Sequence, residues 1–267
     1  MSAEPAREPS SGGHMTIWEH LAELRSRLIK VAIAVAVGAL AGWFLFPYVL
    51  DFLLRPFYEI QPGSSLIATE PLQAFALRLQ MSAYIGIAFA MPVILWQLWR
   101  FITPALYPHE KKYAIPFVVS ALVLFLMGAT LAYLILNPTL QFLVNIGGSN
   151  IKPYYTASSY VTLIAWMMLA FGVGFEFPVI IVALQLIGVV TPRQLMKWWR
   201  IALVIIAVVA AVITPSGDPI SMIALAVPMV VLYILSIAVG AAVLGLRSRK
   251  QRKAENADTD EDARVDS

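Results

Sequence analysis

The chain has 267 residues, of which 60% are hydrophobic and only 13% carry a charge. This composition excludes a soluble globular protein, because too little polar surface is present to cover the apolar mass. The absence of cysteine excludes a disulfide framework and a thiolate metal site. The net charge of +3 comes from basic residues scattered at the ends of apolar runs, so it does not indicate a nucleic-acid-binding face. The sequence therefore predicts an integral membrane protein.

The beginning of the chain predicts a polar leader followed by a helix at the membrane surface. Residues 1–15 are rich in Pro, Ser and Gly and are predicted to be disordered. From residue 16 onward, apolar residues recur at helical spacing with charged residues on the opposite face, which is typical of an amphipathic helix. This helix is predicted to lead into a first span over residues 28–50. A loop over residues 51–73 follows, because it contains Pro-Phe-Tyr and Pro-Gly-Ser-Ser turn signals.

The next three spans are separated by a basic hinge and a polar loop. The second span is predicted over residues 75–99 and the third over residues 114–136, with the hinge of residues 100–113 between them. Pro138 is expected to end the third span, because proline cannot donate to the helical hydrogen-bond ladder. The fourth span is predicted over residues 161–188.

The fifth apolar run is unusually short. It covers residues 201–213, which as a helix reach about 20 Å and cannot cross a bilayer core of about 30 Å unaided. A tight turn at residues 214–219 leads into a sixth span over residues 220–246, and residues 247–267 are predicted to be a disordered tail. The sequence thus predicts one all-α membrane domain of six transmembrane helices between residues 16 and 246.

The distribution of basic residues predicts the orientation of these spans. Of the 19 Lys and Arg residues, 16 fall on the side that holds the N-terminus, the two hinges and the C-terminal tail. Only Arg55, Arg78 and Lys152 fall on the other side. The positive-inside rule therefore places both termini in the cytoplasm and the loops after spans one, three and five outside.

Glu176 is a candidate functional residue because it is the one acid inside an apolar run. A carboxylate at the centre of a bilayer costs about 3 kcal/mol, so such residues usually face protein or trapped water and serve a function. Gly172 and Gly174 precede it and Pro178 follows, so we expect a kink with space for another surface beside the acid. A silently paired acid inside the bundle is the alternative.

Three prolines within the apolar runs predict the overall shape. Pro92, Pro178 and Pro228 lie in three different spans, where each is expected to bend its helix. These bends favour a curved, cup-like wall over a straight bundle, although membrane helices also tolerate prolines without a special role.

The sequence does not favour an enzyme. His14, His20 and His109 all lie outside the spans, so no histidine is available as a base or ligand at membrane depth, and no cofactor is implied. A small-solute transporter or channel that uses Glu176 as its coupling acid is the alternative from another class. Such carriers usually contain relays of ionisable groups and repeated halves, and the sequence has neither.

Glu23 and Glu110 are acids on the otherwise basic cytoplasmic side. Their ordinary roles would be an ion pair with Arg27, four residues along the helix, and a charge near a helix N-terminus. Two acids on a basic face also offer a place for an incoming cation, and arginine matches carboxylates in bidentate geometry.

Several motifs in this order resemble the TatC family, the core subunit of the twin-arginine translocase. They are HLAELRSRL (residues 20–28), PVILWQLWRFITPALYPHEKK (92–112), FGVGFEFPV (171–179) and TPSGDPIS (214–221). The resemblance implies a cup-shaped protein of six helices that binds twin-arginine signal peptides and moves folded proteins with the proton-motive force. It also implies TatA and TatB type partners, contact with membrane lipid and self-association.

The resemblance also assigns roles to individual residues. Signal recognition is implied for Glu23, Glu110, His20, Arg25, Gln97 and Phe101. Other positions on which the family depends match Glu176 in the concave face, and Pro56, Thr214, Asp218 and Ser221 in the external loops. Met222 departs from the pattern, because many members carry a polar Gln at that position in the cluster that faces the small partners.

Overall fold

A computed structural model describes residues 17–60, 66–102, 114–146, 156–215 and 217–265. Within these residues the chain forms eight helices and no β-strand beyond one isolated bridge between Ile67 and Thr156. The helices are α1 (Ile17–Ile60), α2 (Gln73–Ile102), α3 (Ala114–Ile146), α4 (Ala157–Gly174), α5 (Phe177–Leu186), α6 (Pro192–Lys197), α7 (Trp199–Ile213) and α8 (Pro219–Val265).

These helices form the six spans that the sequence predicts. Five spans are long and apolar enough to cross a membrane, and α4 and α5 together make the fourth of them in chain order. The short apolar helix is α7, whose 15 residues reach about 22 Å. The protein is therefore an all-α membrane protein with a short fifth span.

The fourth span lies at the centre of the packing, since α4 contacts α1, α2, α3, α7 and α8. The most extensive pair is α1 with α2, followed by α3 with α4, and α8 packs against α3, α5 and α7. Helices α1 and α7 do not form one of the extensive pairs among the described residues. The close approach of α1 and α2 requires glycine, because a Cβ on Gly38 would lie 2.7 Å from the carbonyl oxygen of Gly86.

The first helix is longer than the sequence indicates. A loop is predicted to begin at residue 51, but α1 continues to Ile60 and includes Pro56. Leu53 and Phe57 lie one turn apart and are buried in the core, where the Phe57 ring contacts Tyr160 with 5.1 Å between ring centroids. Burial of these side chains stabilises the helix beyond residue 51, where the turn signals in the sequence predict that it ends.

Pro138 likewise fails to end α3, which continues to Ile146. Leu136, Thr139 and Leu140 are almost completely buried on either side of the proline. Because neighbouring helices cover this segment, burial offsets the lost backbone hydrogen bond.

The fourth span bends where Pro178 predicts a kink, since α4 ends at Gly174 and α5 begins at Phe177. The ends of two later spans differ from the prediction. The second basic hinge contains the short helix α6, which Thr191 and Gln194 begin with a reciprocal capping box. The backbone of α8 continues as helix to Val265 where a disordered tail is predicted from residue 247, and this tail contains no Gly or Pro to stop the helix.

Two prolines of α1 leave backbone carbonyls without their helical donors, and neighbouring helices supply replacements. Pro47 cannot donate to Trp43, and the Arg78 guanidinium of α2 donates from Nη2 to the Trp43 carbonyl at 2.9 Å. Pro56 cannot donate to Phe52, and the Tyr133 hydroxyl of α3 donates to the Phe52 carbonyl at 3.3 Å. The Tyr133 ring also stacks on Phe52 at 4.5 Å. These contacts attach α2 and α3 to α1 at the two carbonyls that its prolines leave without a helical donor.

The Tyr133 contact can be tested by a double-mutant cycle. Tyr133→Phe removes the hydroxyl donor but keeps the stacked ring, so we expect the free energy of unfolding to fall by about 0.6 to 1.7 kcal/mol. In a Pro56→Ala background the loss should disappear, because alanine restores a backbone N–H for the Phe52 carbonyl. Unfolding of the four proteins in mixed micelles measures the coupling. An equal loss in both backgrounds would show that the hydroxyl does not replace the missing donor.

Candidate functional site

The first candidate site lies where the N-terminal part of α1 meets the C-terminal end of α2. Glu23 and Arg27, one turn apart on α1, form an ion pair between Oε1 and Nη2. Arg27 also donates from Nη1 to the backbone oxygen of Gln97 on α2, at 3.5 Å. The structure therefore brings Glu23 and Gln97, two residues implicated by the sequence, into one polar cluster through Arg27.

This cluster is only partly open to its surroundings. The exposed fraction of the side chain is 22% for Glu23 and 13% for Arg27. The second carboxylate oxygen of Glu23 and the amide oxygen of Gln97 are buried, and neither has a hydrogen-bond partner among the described residues. A carboxylate with one open oxygen can accept hydrogen bonds from a further cationic group.

The other residues predicted to recognise the signal peptide lie on α1, on α2 or outside the described residues. Arg25 is exposed on α1, and Phe101 is half-buried in the last turn of α2. Buried Trp99 anchors that last turn, since its ring contacts Phe117 of α3 at 4.4 Å between ring centroids. His20 lies in the first turns of α1, whereas Glu110 lies outside the described residues.

Glu176 lies at the break between α4 and α5. Its side chain is 6% exposed, and neither carboxylate oxygen has a hydrogen-bond partner among the described residues. It occupies the N-cap position of α5 without making a side-chain cap. The acid is therefore not silently paired within this part of the chain.

The glycines before Glu176 pack against other helices of the same chain. A Cβ on Gly172 would meet the ring of Phe125 on α3, and one on Gly174 would meet Leu225 on α8. The small size of these glycines lets α3 and α8 lie against this span, so the surfaces expected to approach beside the acid belong to the same chain.

The predicted docking residues of the last external turn are buried. Asp218 caps α8, because its Oδ1 accepts a hydrogen bond from the backbone N–H of Ser221 at 2.8 Å and its Oδ2 pairs with the Ser221 hydroxyl. The Thr214 hydroxyl donates to the Ala210 carbonyl at 2.8 Å. Gly217 has a φ of +58°, a left-handed conformation that favours glycine. These side chains hold the shape of the turn, and Pro56, also expected in an external loop, is buried within α1.

Among the described residues, no three His, Asp or Glu side chains form a group that could hold a metal ion.

Comparison with known proteins identifies the family. The sequence matches the family described as Sec-independent protein translocase protein (TatC) over residues 19–228. The chain belongs to the TatC family.

Individual relatives cover almost the whole chain. The TatC protein of Aquifex aeolicus is 36% identical over 246 residues, which span 91% of this chain and 100% of the relative. That of Koribacter versatilis is 35% identical and spans 91% of each chain. Two crystal structures described as the twin arginine translocase receptor TatC superpose with TM-scores of 0.72 and 0.73, at 36% and 37% identity. They cover 84% and 83% of this chain and 99% of their own chains.

Three polar contacts of this TatC family member were not predicted from the sequence. They are the donors for the proline-freed carbonyls, Arg78 and Tyr133, and the buried amide of Gln185 on α5, whose Nε2 donates to the Ser236 carbonyl of α8 at 3.0 Å. A proline in a span does indicate a freed carbonyl four residues earlier. The side chain that reaches it comes from another helix, and the sequence carries no signal for that pairing.

Stability and transport should respond in opposite directions to a change at Glu176. Glu176→Leu removes a buried carboxylate without a partner, so we expect the free energy of unfolding to rise, whereas transport should fall if the polar group is used. Glu176→Gln should retain more transport than Glu176→Leu, because an amide still forms hydrogen bonds. Unfolding in micelles and export by cells that express each variant measure the two effects.

Gln185→Leu is the matched control, because Gln185 is also a buried polar residue but has a partner. Its replacement should lower the free energy of unfolding. Wild-type transport by Glu176→Leu would show that this acid has no role in translocation.

Proposed function

We propose that this chain is the signal-peptide receptor and core subunit of a Tat translocase, which moves folded proteins across the cytoplasmic membrane with the proton-motive force. Membership of the TatC family over most of the chain supports a role in protein translocation. The solved relatives are described as twin arginine translocase receptors, which supports the receptor role.

The observation that carries the receptor role is the open carboxylate at the junction of α1 and α2. Glu23 is held in place by its own helix and faces the last turns of α2 through Arg27. Its second oxygen is buried without a partner among the described residues, so a peptide arginine that reaches it would form a charge-assisted hydrogen bond there. The amide oxygen of Gln97 is also buried without a partner among the described residues, so it can accept a hydrogen bond from a second donor.

Glu110 supplies the second carboxylate in this proposal. It follows α2 by eight residues, and the basic residues Lys111 and Lys112 come directly after it. Basic neighbours repel a cationic peptide in general, so binding of two arginines needs specific acidic partners at this face. Arg25, Phe101 and His20 would contribute further contacts at the edge of the same site.

Small partners of the TatA and TatB type are proposed to dock near the short fifth span. With about 22 Å of helix, α7 requires either a thinner bilayer or a covering partner. Thr214, Asp218 and Ser221 would contribute by fixing the turn after α7, since their side chains are buried in it. Pro56 would act in the same indirect manner through the shape of α1. Membrane lipid and further copies of the chain are proposed to cover other faces.

Removal of the two acids tests the receptor role. Glu23→Ala or Glu110→Ala should each weaken the binding of a twin-arginine peptide about tenfold at low salt, because each removes one charge-assisted pair. Lys should be worse than Ala at either position, since it adds repulsion. The measurement is peptide binding to purified protein in nanodiscs, with an ArgArg peptide compared with a LysLys peptide.

Glu59→Ala is the matched control, because Glu59 is an exposed acid near the opposite end of α1. It should leave the affinity unchanged. If the double variant of Glu23 and Glu110 binds the ArgArg peptide as tightly as the wild type, the arginines bind elsewhere.

Thiol labelling tests the proposed orientation, and the absence of native cysteine makes the test direct. Glu70 is exposed between α1 and α2, and Arg193 is exposed in α6. Glu70→Cys should react with an impermeant reagent added outside intact cells, whereas Arg193→Cys should react only after the membrane is opened. The reverse pattern would contradict cytoplasmic termini.

A further inference from the structure

Arg27 is paired with the Glu23 carboxylate, to which an arginine of the signal peptide binds in the proposed function. Its Nη2 pairs with Oε1 of Glu23, so an arginine of the chain itself already makes the type of contact expected from a peptide arginine. The two residues are one turn apart on α1, which allows the pair to form without any movement of the backbone.

The position of Arg27 is fixed from a second side. Its Nη1 donates to the backbone oxygen of Gln97 on α2, and the Arg27 side chain is only 13% exposed. Because water and salt reach the pair less than they reach an exposed one, its attraction is screened less. A peptide that binds to Glu23 must therefore compete with a formed contact.

The internal pair is nevertheless incomplete. Glu23 uses one carboxylate oxygen, while Oε2 is buried without a partner among the described residues. On the other side of the pair, Nε of Arg27 is also buried without a partner in this part of the chain. Once Arg27 is displaced, an incoming arginine would engage both carboxylate oxygens in the fork geometry that this pair does not reach.

We propose that Arg27 is an internal competitor for Glu23, which a signal-peptide arginine displaces when it binds. This inference rests on the proposed receptor function. In the free protein Arg27 holds the carboxylate, and in the complex the peptide guanidinium takes its place while Arg27 keeps the Gln97 carbonyl or turns to solvent. The affinity for the peptide then reflects the difference between the two pairs, so a lone cation does not occupy the site readily.

Variants of Arg27 distinguish two roles, competition with the peptide for Glu23 and orientation of Glu23 for the peptide. If Arg27 competes, Arg27→Gln should raise the affinity for an ArgArg peptide about fivefold, because it frees Glu23. Arg27→Lys keeps the charge but has one nitrogen where Arg27 uses Nη2 for Glu23 and Nη1 for the Gln97 carbonyl, so it should raise the affinity about twofold. If Arg27 instead orients Glu23 for the peptide, both variants should lower the affinity, which would overturn the proposal.

Lys30→Gln is the matched control for net charge. Lys30 is exposed on the same helix, three residues beyond Arg27. Its removal changes the local charge by the same amount as Arg27→Gln but frees no carboxylate. An equal gain in affinity for Lys30→Gln and Arg27→Gln would show that the gain comes from the loss of one positive charge near the site. That result would contradict displacement.

The experiment also distinguishes failure of this inference from failure of the receptor function. The binding assay in nanodiscs includes Glu23→Ala and the double variant Glu23→Ala/Arg27→Gln. Displacement requires that Arg27→Gln gives no gain once Glu23 is absent. If Glu23→Ala binds the peptide like the wild type, the receptor site itself is misplaced. If Glu23→Ala weakens binding while Arg27→Gln also weakens it, only the displacement is wrong.

Discussion

The need to satisfy backbone carbonyls without water determines how this protein packs. A helix in hydrocarbon has no solvent to replace a missing N–H donor, so a carbonyl freed by a proline within a span is satisfied only where another group donates to it. In α1 the two carbonyls freed by Pro47 and Pro56 are taken by Arg78 and Tyr133, from α2 and α3. The positions of two neighbouring helices are thereby tied to the two prolines of α1, which carries the candidate site at its other end.

Polar groups elsewhere in the protein follow the same rule with different consequences. Asp218 accepts a hydrogen bond from the backbone N–H of Ser221 at the start of α8, and Gln185 bridges α5 and α8. Both are structural because their hydrogen bonds hold elements in place. Glu23 and Glu176 each retain at least one carboxylate oxygen without a partner in the described part of the chain. These two unsatisfied acids are the residues that we propose to meet a peptide or a partner helix.

Much of the architecture was predictable from the sequence, while the ends of the helices were not. The apolar runs gave six spans, and the short fifth run appears as α7 with only two additional residues. The predicted ends at residue 51 and at Pro138 were wrong, because Phe57 and Leu140 bury against other helices and extend α1 and α3 through turn residues. Local turn signals predict where a helix can stop, but burial against distant residues decides whether it stops there.

The sequence by itself determined that the chain crosses a membrane, where its spans lie and which acids are unusual, because hydrophobicity and charge are properties of each segment. Only the tertiary structure decided what those acids and prolines meet. Arg27, which pairs with Glu23, donates to the Gln97 backbone oxygen 70 positions further along the chain. Tyr133 contacts Phe52, which lies 81 positions away. Such contacts depend on how helices pack against one another, and helix periodicity within a single span carries no record of the partner that it will face.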